Sequence, residues 1–218
     1  MSALTPILRS AVCTGTLRPA TTAFLVCDVQ DRFRPIIHNI ETVISQSKFL
    51  VKTANILDTP VVVTEHYPKA FGNTIADVLD TSPSSSFPTF EKKLFSMITP
   101  EVQAHLTPLA KTSYVLFGLE THVCIQQTAL DLLEKGHQVH VIVDAVSSQS
   151  PLDRQIALKR LEGAGCFLTT AQSIVFMLMG TAEHPRFKEV SKLVVGQAKI
   201  RNEFNEELLY ALGKGSAL

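Results

Sequence analysis

Apolar runs of strand length alternate with segments of helical period along most of this chain. Between residues 40 and 57, apolar side chains recur every three or four positions, which keeps one face of a helix against a sheet. Five strand-like runs lie near residues 22–28, 60–64, 113–118, 138–143 and 166–169. Strands that alternate with helices usually pair in parallel and are covered on both faces. We therefore predict an α/β fold, a three-layer Rossmann-like sandwich with a mostly parallel sheet of about six strands flanked by helices.

Turn chemistry predicts where several helices begin and end. A polar residue stands before proline at Thr99, Ser150 and His184, and each pair predicts a helix start, since proline at the first helical position sacrifices no hydrogen bond. Residues 122–135 have the pattern of a further helix, and Gly136 closes it. These signals divide the second half of the chain into strand and helix units.

Residues 66–98 interrupt the alternation, because glycine, serine and proline replace any sustained period there. A stretch of this length is too long to be a plain connection in a compact α/β domain. We expect it either to carry function or to contain a short edge strand near residues 87–90.

The chain is expected to form one domain at residues 20–200, with an N-terminal arm at 1–19 and a tail at 201–218. The arm is basic through Arg9 and Arg18 and has no acidic residue, so it weakly resembles a mitochondrial presequence. An arm that lies on the fold or on a neighbouring subunit is the favoured interpretation. The tail mixes charges with leucines, which indicates a short docking helix or a subunit contact.

Charge and composition narrow the classes of function. The 20 basic and 20 acidic side chains balance, so nothing favours binding to a nucleic-acid backbone. The longest apolar runs, such as residues 139–143, are far too short to span a bilayer, and we expect no membrane partner. The four cysteines form no CxxC pair and lack the dense spacing of a secreted scaffold. This favours a reducing compartment, the cytoplasm, with the mitochondrion as the alternative.

Candidate chemistry lies where the predicted strands end, since ligands of parallel α/β sheets bind beyond the carboxyl ends of the strands. The candidates there are Asp28, Gln30, Glu65, His66, Lys92 or Lys93, Glu120 to Cys124, Asp144, Ser147 and Ser148. The chain has no glycine-rich phosphate motif of the dinucleotide or P-loop kind. We therefore predict no cofactor.

Cys124 follows a strand-like run almost directly and lies at the start of a predicted helix. If Thr121 is the N-cap, Cys124 lies in the first turn, where unpaired N–H groups and the helix dipole stabilise a thiolate. Such a cysteine is a candidate nucleophile, and Asp28 with a nearby lysine would supply a base and a fixed positive charge. The alternative is a small apolar side chain in the core, the commonest role of a free cysteine.

Four sequence runs together resemble the isochorismatase-like cysteine hydrolases, and most closely the isochorismatase domain-containing proteins of eukaryotes. They are Phe24 to Gln30, Phe90 to Met97, Gly118 to Cys124 and Val143 to Ala145. The resemblance covers about residues 20–200, with the motifs in the family's order and at plausible spacing. It implies a Rossmann-like fold and hydrolysis of a small amide or related C–N bond through a cysteine nucleophile.

The resemblance also implies which residues are catalytic. The family's triad falls on Asp28, Lys92 and Cys124. Lys92 matches rather than Lys93, because the family's lysine stands two places after the phenylalanine that is Phe90 here. In relatives that hydrolyse amides, the cysteine attacks the carbonyl carbon, the aspartate shuttles a proton and the lysine supports the ionised pair.

A cis peptide bond of the family falls between Leu119 and Glu120, and it would direct the backbone N–H groups of Glu120 and Cys124 toward one oxyanion hole. The side chains expected to line the pocket are Gln30, Phe33, His66, Tyr67, Leu119 and Thr121. Relatives that bind a metal use an Asp-x-His motif after the second strand and a further histidine, whereas this chain offers a lone histidine there. His66 is therefore expected to be a hydrogen-bonding wall residue, and we predict no metal.

The expected partners are a small-molecule substrate and further copies of the chain, because the resembling family forms homo-oligomers. A second hypothesis assumes the same fold with little or no catalytic turnover. In that case the protein is a catalytically weak or inactive family member that serves as an oligomeric protein-binding module.

Overall fold

The structure is a computed structural model that describes residues 14–79, 87–200 and 202–205. Its strands are β1 Thr22–Cys27, β2 Val61–His66, β3 Thr89–Lys92, β4 Ser113–Leu119, β5 Gln138–Ser147 and β6 Phe167–Thr169. They form one six-stranded sheet in the order β3-β2-β1-β4-β5-β6, and all neighbouring strands are parallel. The predicted α/β fold with a parallel sheet of about six strands is confirmed.

Helices cover the sheet on both faces. They are α1 Ile40–Ile56, α2 Pro68–Phe71, α3 Ala76–Leu79, α4 Pro100–Leu106, α5 Gln126–Glu134, α6 Pro151–Ala164, α7 Ala171–Met179 and α8 Phe187–Gln197. Helix α1 packs with α3, α7 and α8, whereas α5 packs with α6. No helix among the described residues combines the length and the apolar character that crossing a membrane requires.

The core is centred on β1 and β4, in which every residue is buried. A central strand of a parallel sheet contacts helices on both of its faces, so its apolar residues form a continuous run rather than an alternating one. Phe24 on β1 and Phe117 on β4 meet edge to face with ring centroids 6.2 Å apart. The apolar runs in the sequence therefore identified the two innermost strands.

The irregular segment carries an edge strand, as one of the two predictions for it required. β3 begins at Thr89 and pairs with β2, so that Lys92 lies beside His66 in the register. The short helices α2 and α3 lie in the same segment, and residues 80–86 lie outside the described part of the chain. The strand thereby brings Lys92 to the carboxyl end of the sheet.

Two of the three predicted helix starts are confirmed and one is wrong. The Thr99 side chain accepts a hydrogen bond from the N–H of Val102 at the start of α4, and Ser150 caps α6 in the same way. Helix α8 begins at Phe187 instead of Pro185. The reason is local, since the N–H of Arg186 donates to His184 Nδ1 and holds a turn before the helix.

The two ends of the chain are described only in part. Residues 1–13 and 206–218 lie outside the described range, and with them most of the predicted arm and the tail leucines Leu208, Leu209 and Leu212. Leu17 is buried, and Phe204 packs under the guanidinium of Arg154, 3.9 Å from its ring centroid. The described ends of both segments therefore lie on the domain.

Candidate active site

The three predicted catalytic side chains meet at the carboxyl end of the sheet. Asp28 directly follows β1, Lys92 ends β3, and Cys124 lies in the turn after β4. Lys92 Nζ is 2.6 Å from Asp28 Oδ2 and 3.6 Å from Cys124 Sγ. All three residues are buried, with exposed fractions of 1%, 4% and 7%. They meet because β2 and β4 flank β1, and β3 lies one strand further along the same edge.

Both carboxylate oxygens of Asp28 are engaged. Oδ1 accepts a hydrogen bond of 2.8 Å from Thr64 Oγ1 on β2, and Oδ2 accepts the bond from Lys92. The backbone N–H of Asp28 also donates to the carbonyl of Thr64. Asp28 has a φ of +51°, in the left-handed region that aspartate tolerates better than most residues. The carboxylate is therefore held in one orientation between β2 and β3.

The Lys92 ammonium is surrounded by acceptors. Besides Asp28 and Cys124, its Nζ donates to the carbonyls of Leu94 at 3.1 Å and Phe95 at 2.9 Å. Burial by itself would lower the pKa of Lys92, but Cys27, Asp28 and Cys124 together raise that pKa above its ordinary value. The side chain is thus a fixed positive charge whose hydrogen bonds are all used inside the protein.

The turn that carries Cys124 differs from the prediction. Residues Thr121–Ile125 form a π-helical turn, and α5 begins only after it. Thr121 is therefore not the N-cap; Glu120 occupies that position without a side-chain bond, and the buried Thr121 Oγ1 has no hydrogen-bond partner among the described residues. Single π-turns of this kind are frequent at functional sites. Cys124 still lies in the first turn of a helical segment that follows a buried strand.

Thr128 on α5 connects the Cys124 turn to the segment that follows Lys92. Its Oγ1 donates to the carbonyl of Cys124 at 2.6 Å and accepts from the N–H of Met97 at 2.8 Å. The segment after β3 is thus fixed at one end by the Lys92 ammonium and at the other by α5. This arrangement holds the ammonium and the thiol at a constant separation.

Cys27 is part of the site, although it was not among the candidates at the strand ends. Its thiol donates to Asp28 Oδ2 at 3.6 Å and is fully buried. Burial, followed by the neighbouring Cys124 and Asp28, raises the pKa of Cys27 well above its ordinary value. Cys27 therefore remains a neutral thiol donor to the carboxylate, whereas Cys124 lines a cavity.

A cavity of about 350 Å³ opens in front of Cys124. Its walls are formed by Asp28, Phe33, Ile36, His66, Phe71, Phe95, Leu119, Glu120, Val123, Cys124 and Gln149. Phe33, His66 and Leu119 were predicted to line it, and Asp28, Glu120 and Cys124 were predicted for the proposed chemistry. The wall residues that were not predicted to line the cavity are Ile36, Phe71, Phe95, Val123 and Gln149. Gln149 follows the end of β5, where the strand-end rule could have found it, and Phe95 lies within a run that carried the resemblance.

Three residues predicted for the pocket do not line this cavity. Gln30 is buried, and its amide donates to the carbonyls of His66 and Gly72 and accepts from the His66 N–H. Tyr67 is 42% exposed, and its ring faces Lys93, which directly follows β3. Thr121 is fully buried. All three lie within two residues of a wall residue in sequence, but their side chains lie outside the cavity wall.

His66 is held between aromatic rings. Its ring centroid lies 5.7 Å from that of Phe71 and 5.6 Å from that of Phe95, the latter nearly parallel. Burial, followed by the nearby Lys92 ammonium, lowers the pKa of His66 below its ordinary value. The imidazole is therefore neutral at pH 7 and extends the aromatic wall. Its Nδ1 is buried without a hydrogen-bond partner among the described residues, whereas a hydrogen bond between the ring and the Leu94 backbone partly opposes the lowering of its pKa.

The ligand atoms of Cys27, Asp28 and Cys124 lie within 4.8 Å of one another, and this is the one such group of metal-ligating residues in the described part of the chain. The Lys92 ammonium already lies within 2.6 Å of Asp28 Oδ2. A divalent cation bound to the Asp28 carboxylate would lie beside this fixed positive charge, so the donor set fits a metal poorly. His66 is not a member of the group. That the protein needs no metal stays a prediction.

Glu120 forms the polar edge of the cavity. The peptide bond between Leu119 and Glu120 is cis, at the position that the resemblance indicated. The Glu120 carboxylate accepts hydrogen bonds from the backbone N–H of Gln149 at 2.9 Å and from its side-chain amide at 3.3 Å. These two contacts join the β4 turn to the end of β5 and fix the carboxylate at the cavity.

Known proteins resemble this chain along most of its length. It is 46% identical to isochorismatase domain-containing protein 1 of Salmo salar over 194 residues, which are 88% of this chain and 68% of the relative. The solved structure of MAR1 ribonuclease from Caenorhabditis elegans shares 41% identity and a TM-score of 0.79, covering 82% of this chain and 92% of that one.

A more distant structure shows the same fold. The YcaC protein of Escherichia coli, described as an octameric hydrolase of unknown specificity, has a TM-score of 0.71 at 19% identity, over 85% of this chain and 98% of that one. The isochorismatase domain model matches residues 22–173, a range that contains Asp28, Lys92, Cys124 and the strands that position them. The chain therefore belongs to the isochorismatase family.

Proposed function

We propose that the protein is a hydrolase that cleaves a small carboxamide or related C–N bond through a covalent intermediate on Cys124. One observation carries the proposal. The Cys124 thiol lies on the wall of a ligand-sized cavity, 3.6 Å from an ammonium that also holds the Asp28 carboxylate. A nucleophile, a base and a fixed positive charge at one cavity are the groups that acyl transfer requires.

In the first half of the proposed reaction, Cys124 Sγ attacks the amide carbon and the thiol proton passes to Asp28. The two ligand atoms lie within 4.8 Å of each other, and the Lys92 ammonium stabilises both the thiolate and the carboxylate during the transfer. The backbone N–H groups of Glu120 and Cys124 are the proposed donors to the oxyanion. Collapse of the tetrahedral intermediate breaks the C–N bond, and Asp28 returns its proton to the departing amine.

In the second half, water attacks the thioester. Asp28 takes one proton from the water as the new C–O bond forms. The C–S bond then breaks, the carboxylic acid leaves, and the proton on Asp28 returns to Cys124. Thr64 and Lys92 keep the carboxylate in place through both transfers, because each engages one of its oxygens.

Ribonuclease activity is the second candidate, because the Caenorhabditis elegans relative at 41% identity carries that name. Phosphate oxygens are bound mainly by Lys and Arg side chains. No described residue of the cavity wall is Lys or Arg, and the Lys92 ammonium is occupied by protein acceptors. The cavity therefore favours amide chemistry, and the absence of a nucleic-acid partner stays a prediction.

We also propose that the protein acts as a homo-oligomer. The support is the fold that it shares with the Escherichia coli protein described as octameric. Together with the exposed apolar residues around the cavity, this favours assembly of further copies near the site.

The test is trapping of the covalent intermediate. The protein is incubated with a panel of small amides and, separately, with an RNA oligonucleotide; acid-quenched samples are then analysed by intact mass and peptide mapping. We expect an acyl mass on Cys124 and release of the amine. Cys124→Ala should abolish both signals, while Cys166→Ala, a buried cysteine outside the cavity, should retain them.

Two results would contradict the proposal. Amine release that persists in Cys124→Ala would show that another group is the nucleophile. RNA cleavage without any acyl adduct would favour the ribonuclease candidate, whereas no reaction with either substrate class would favour the protein-binding module.

A further inference from the structure

Aromatic rings contact one another along the cavity wall. The rings of Phe33 and Phe71 stack with centroids 5.0 Å apart and an interplanar angle of 15°. His66 contacts both Phe71 and Phe95. The four rings therefore form one row in the order Phe33, Phe71, His66 and Phe95. Such a wall favours a flat apolar group, since offset stacking and area burial both stabilise it.

The cavity is small. At about 350 Å³ it lies at the lower end of the 300–1,000 Å³ range of small-molecule pockets. One ring or a branched aliphatic chain, together with a carboxamide at Cys124, fits within that space. Longer polymers could place only their ends in it.

Among the described residues, the charged side chains that line the cavity are all negative. The two carboxylates on the wall belong to Asp28 and Glu120, and no Lys or Arg lines it in the described part of the chain. Asp28 is compensated by Lys92 at 2.6 Å. The hydrogen bonds found for the Glu120 carboxylate come from Gln149, which carries no charge. One negative charge at the cavity is therefore left without a cationic partner.

A bound carboxylate would lie close to this charge at the edge of the cavity. Like charges a few ångströms apart repel each other, even where water screens part of the interaction. The aromatic wall offers no compensating cation, because the imidazole of His66 is neutral at pH 7. An uncharged compound of the same shape meets no such cost.

We propose that the substrate is an uncharged carboxamide with a flat or branched apolar acyl group, and that the Glu120 side chain excludes compounds that carry a carboxylate. This assignment rests on the proposed hydrolase function. Glu120 thereby has two roles. Its backbone N–H is a proposed donor in the oxyanion hole, and its side chain determines charge selectivity.

The first test does not require turnover. Iodoacetamide and iodoacetate are nearly the same size and alkylate thiols, but only iodoacetate carries a charge. Their rate ratio at Cys124, measured by peptide mass spectrometry, is divided by the ratio for glutathione under the same conditions. We expect Cys124 to favour iodoacetamide by at least about tenfold beyond glutathione, a difference of about 1.4 kcal/mol.

Glu120→Gln keeps the size of the side chain and an oxygen that can accept from Gln149, and it should bring the normalised ratio most of the way back to that of glutathione. Glu91→Gln removes an exposed carboxylate from β3, outside the cavity wall, and should leave the ratio unchanged. A wild-type ratio at or below that of glutathione would overturn the selectivity, and so would a ratio that Glu120→Gln does not change.

The second test separates this assignment from the proposed function. Benzamide and 4-carbamoylbenzoate share a ring and a carboxamide and differ by one carboxylate. Selective acylation of Cys124 by benzamide supports the assignment. Equal acylation by both compounds overturns the assignment and leaves the hydrolase function intact, whereas no acylation by any amide, with the alkylation ratio as expected, overturns the hydrolase function and the substrate assignment with it.

Discussion

The Asp28–Lys92 ion pair is the residue-scale feature on which the site depends. Its side chains are only 2% and 0% exposed. Buried charges are stable only when they are paired and when their remaining hydrogen-bonding capacity is satisfied. Thr64 and the carbonyls of Leu94 and Phe95 meet that condition here. Removal of one partner would leave a desolvated charge beside the proposed nucleophile.

Lys92→Met should therefore impair both reactivity and stability. We expect alkylation of Cys124 to slow markedly, because the thiolate loses its neighbouring ammonium, and the free energy of unfolding to fall by about 3 to 5 kcal/mol, the usual cost of breaking a buried pair. Alkylation kinetics and urea unfolding measure the two effects.

Lys93→Met is the matched control. Lys93 is exposed and its Nζ lies over the Tyr67 ring, 5.1 Å from the centroid, outside the cavity. Loss of reactivity in Lys93→Met but not in Lys92→Met would show that the neighbouring lysine serves the site.

At the scale of elements, β1 and β4 approach each other where the site begins. Gly118 pairs with Cys27 in the register and has a φ of +120°. A Cβ built at Gly118 would lie 2.1 Å from the carbonyl oxygen of Cys27. Only glycine permits this approach, and it directly precedes the turn that carries Glu120 and Cys124.

Gly118→Ala should destabilise the fold by more than about 4 kcal/mol, since a rigid backbone atom occupies the space that the new methyl group needs. Gly136→Ala shares a positive φ, +81°, but has no atom within 4 Å of the new Cβ. It should cost only the backbone strain, about 1–2 kcal/mol. Equal unfolding free energies for the two variants would contradict the role assigned to the β1–β4 approach.

The contact between β5 and β6 should make the protein sensitive to acid. His140 on β5 stacks on Phe167 with centroids 4.9 Å apart, and its Nε2 is buried without a hydrogen-bond partner among the described residues. Burial lowers the pKa of His140 to about 4. In the unfolded chain this histidine takes up its proton near pH 6.5, so the unfolded state binds more protons between these two values.

The contribution of His140 to the free energy of unfolding is fully present above about pH 6.5. It is lost as the pH falls toward 4, by about 3 kcal/mol in total. His140→Leu removes the titrating group, and the drop in unfolding free energy between pH 7 and pH 4.5 should shrink accordingly. His105→Gln, at a partly buried position on α4, should retain the wild-type drop. Urea unfolding at several pH values provides the measurement, and an unchanged pH dependence in His140→Leu would contradict the assignment.

For the whole molecule, exposed apolar side chains adjoin the cavity. Ile36, Leu94 and Phe95 are 47%, 54% and 49% exposed, and Ile36 and Phe95 also line the cavity. Exposed apolar surface next to a site is commonly covered in an assembly. In an isolated subunit, the uncovered cavity would also leave a thioester intermediate exposed to water.

We expect a homo-oligomer in which a second copy covers this patch, so that Leu94→Asp weakens assembly and changes the rate of Cys124 alkylation. Val195→Asp on α8 is the control, because Val195 is similarly exposed at 57% but lies outside the cavity wall. Light scattering across a dilution series measures the assembly. A wild-type monomer at all concentrations, with undiminished reactivity at Cys124, would contradict the expectation.

The sequence alone predicted the α/β class with a parallel sheet of about six strands, because the apolar runs of β1 and β4 and the proline signals before α4 and α6 depend on local periodicity and capping. It also predicted Asp28 and Cys124 as candidates beyond strand ends, and the resemblance to the family selected Lys92 over Lys93. Such signals are read one segment at a time. They require no knowledge of which strands become neighbours.

Only the tertiary structure decided which side chains face the cavity. Cys27 reaches the Asp28 carboxylate, and Phe71 joins the aromatic wall, through contacts between segments far apart in the chain. Gln30 and Thr121 were assigned to the pocket because they follow predicted strands, yet both side chains are buried away from the cavity. The physical reason is that periodicity predicts which face of an element is buried, whereas the direction of a side chain in a turn depends on backbone angles and on partners that arrive only when the sheet is assembled.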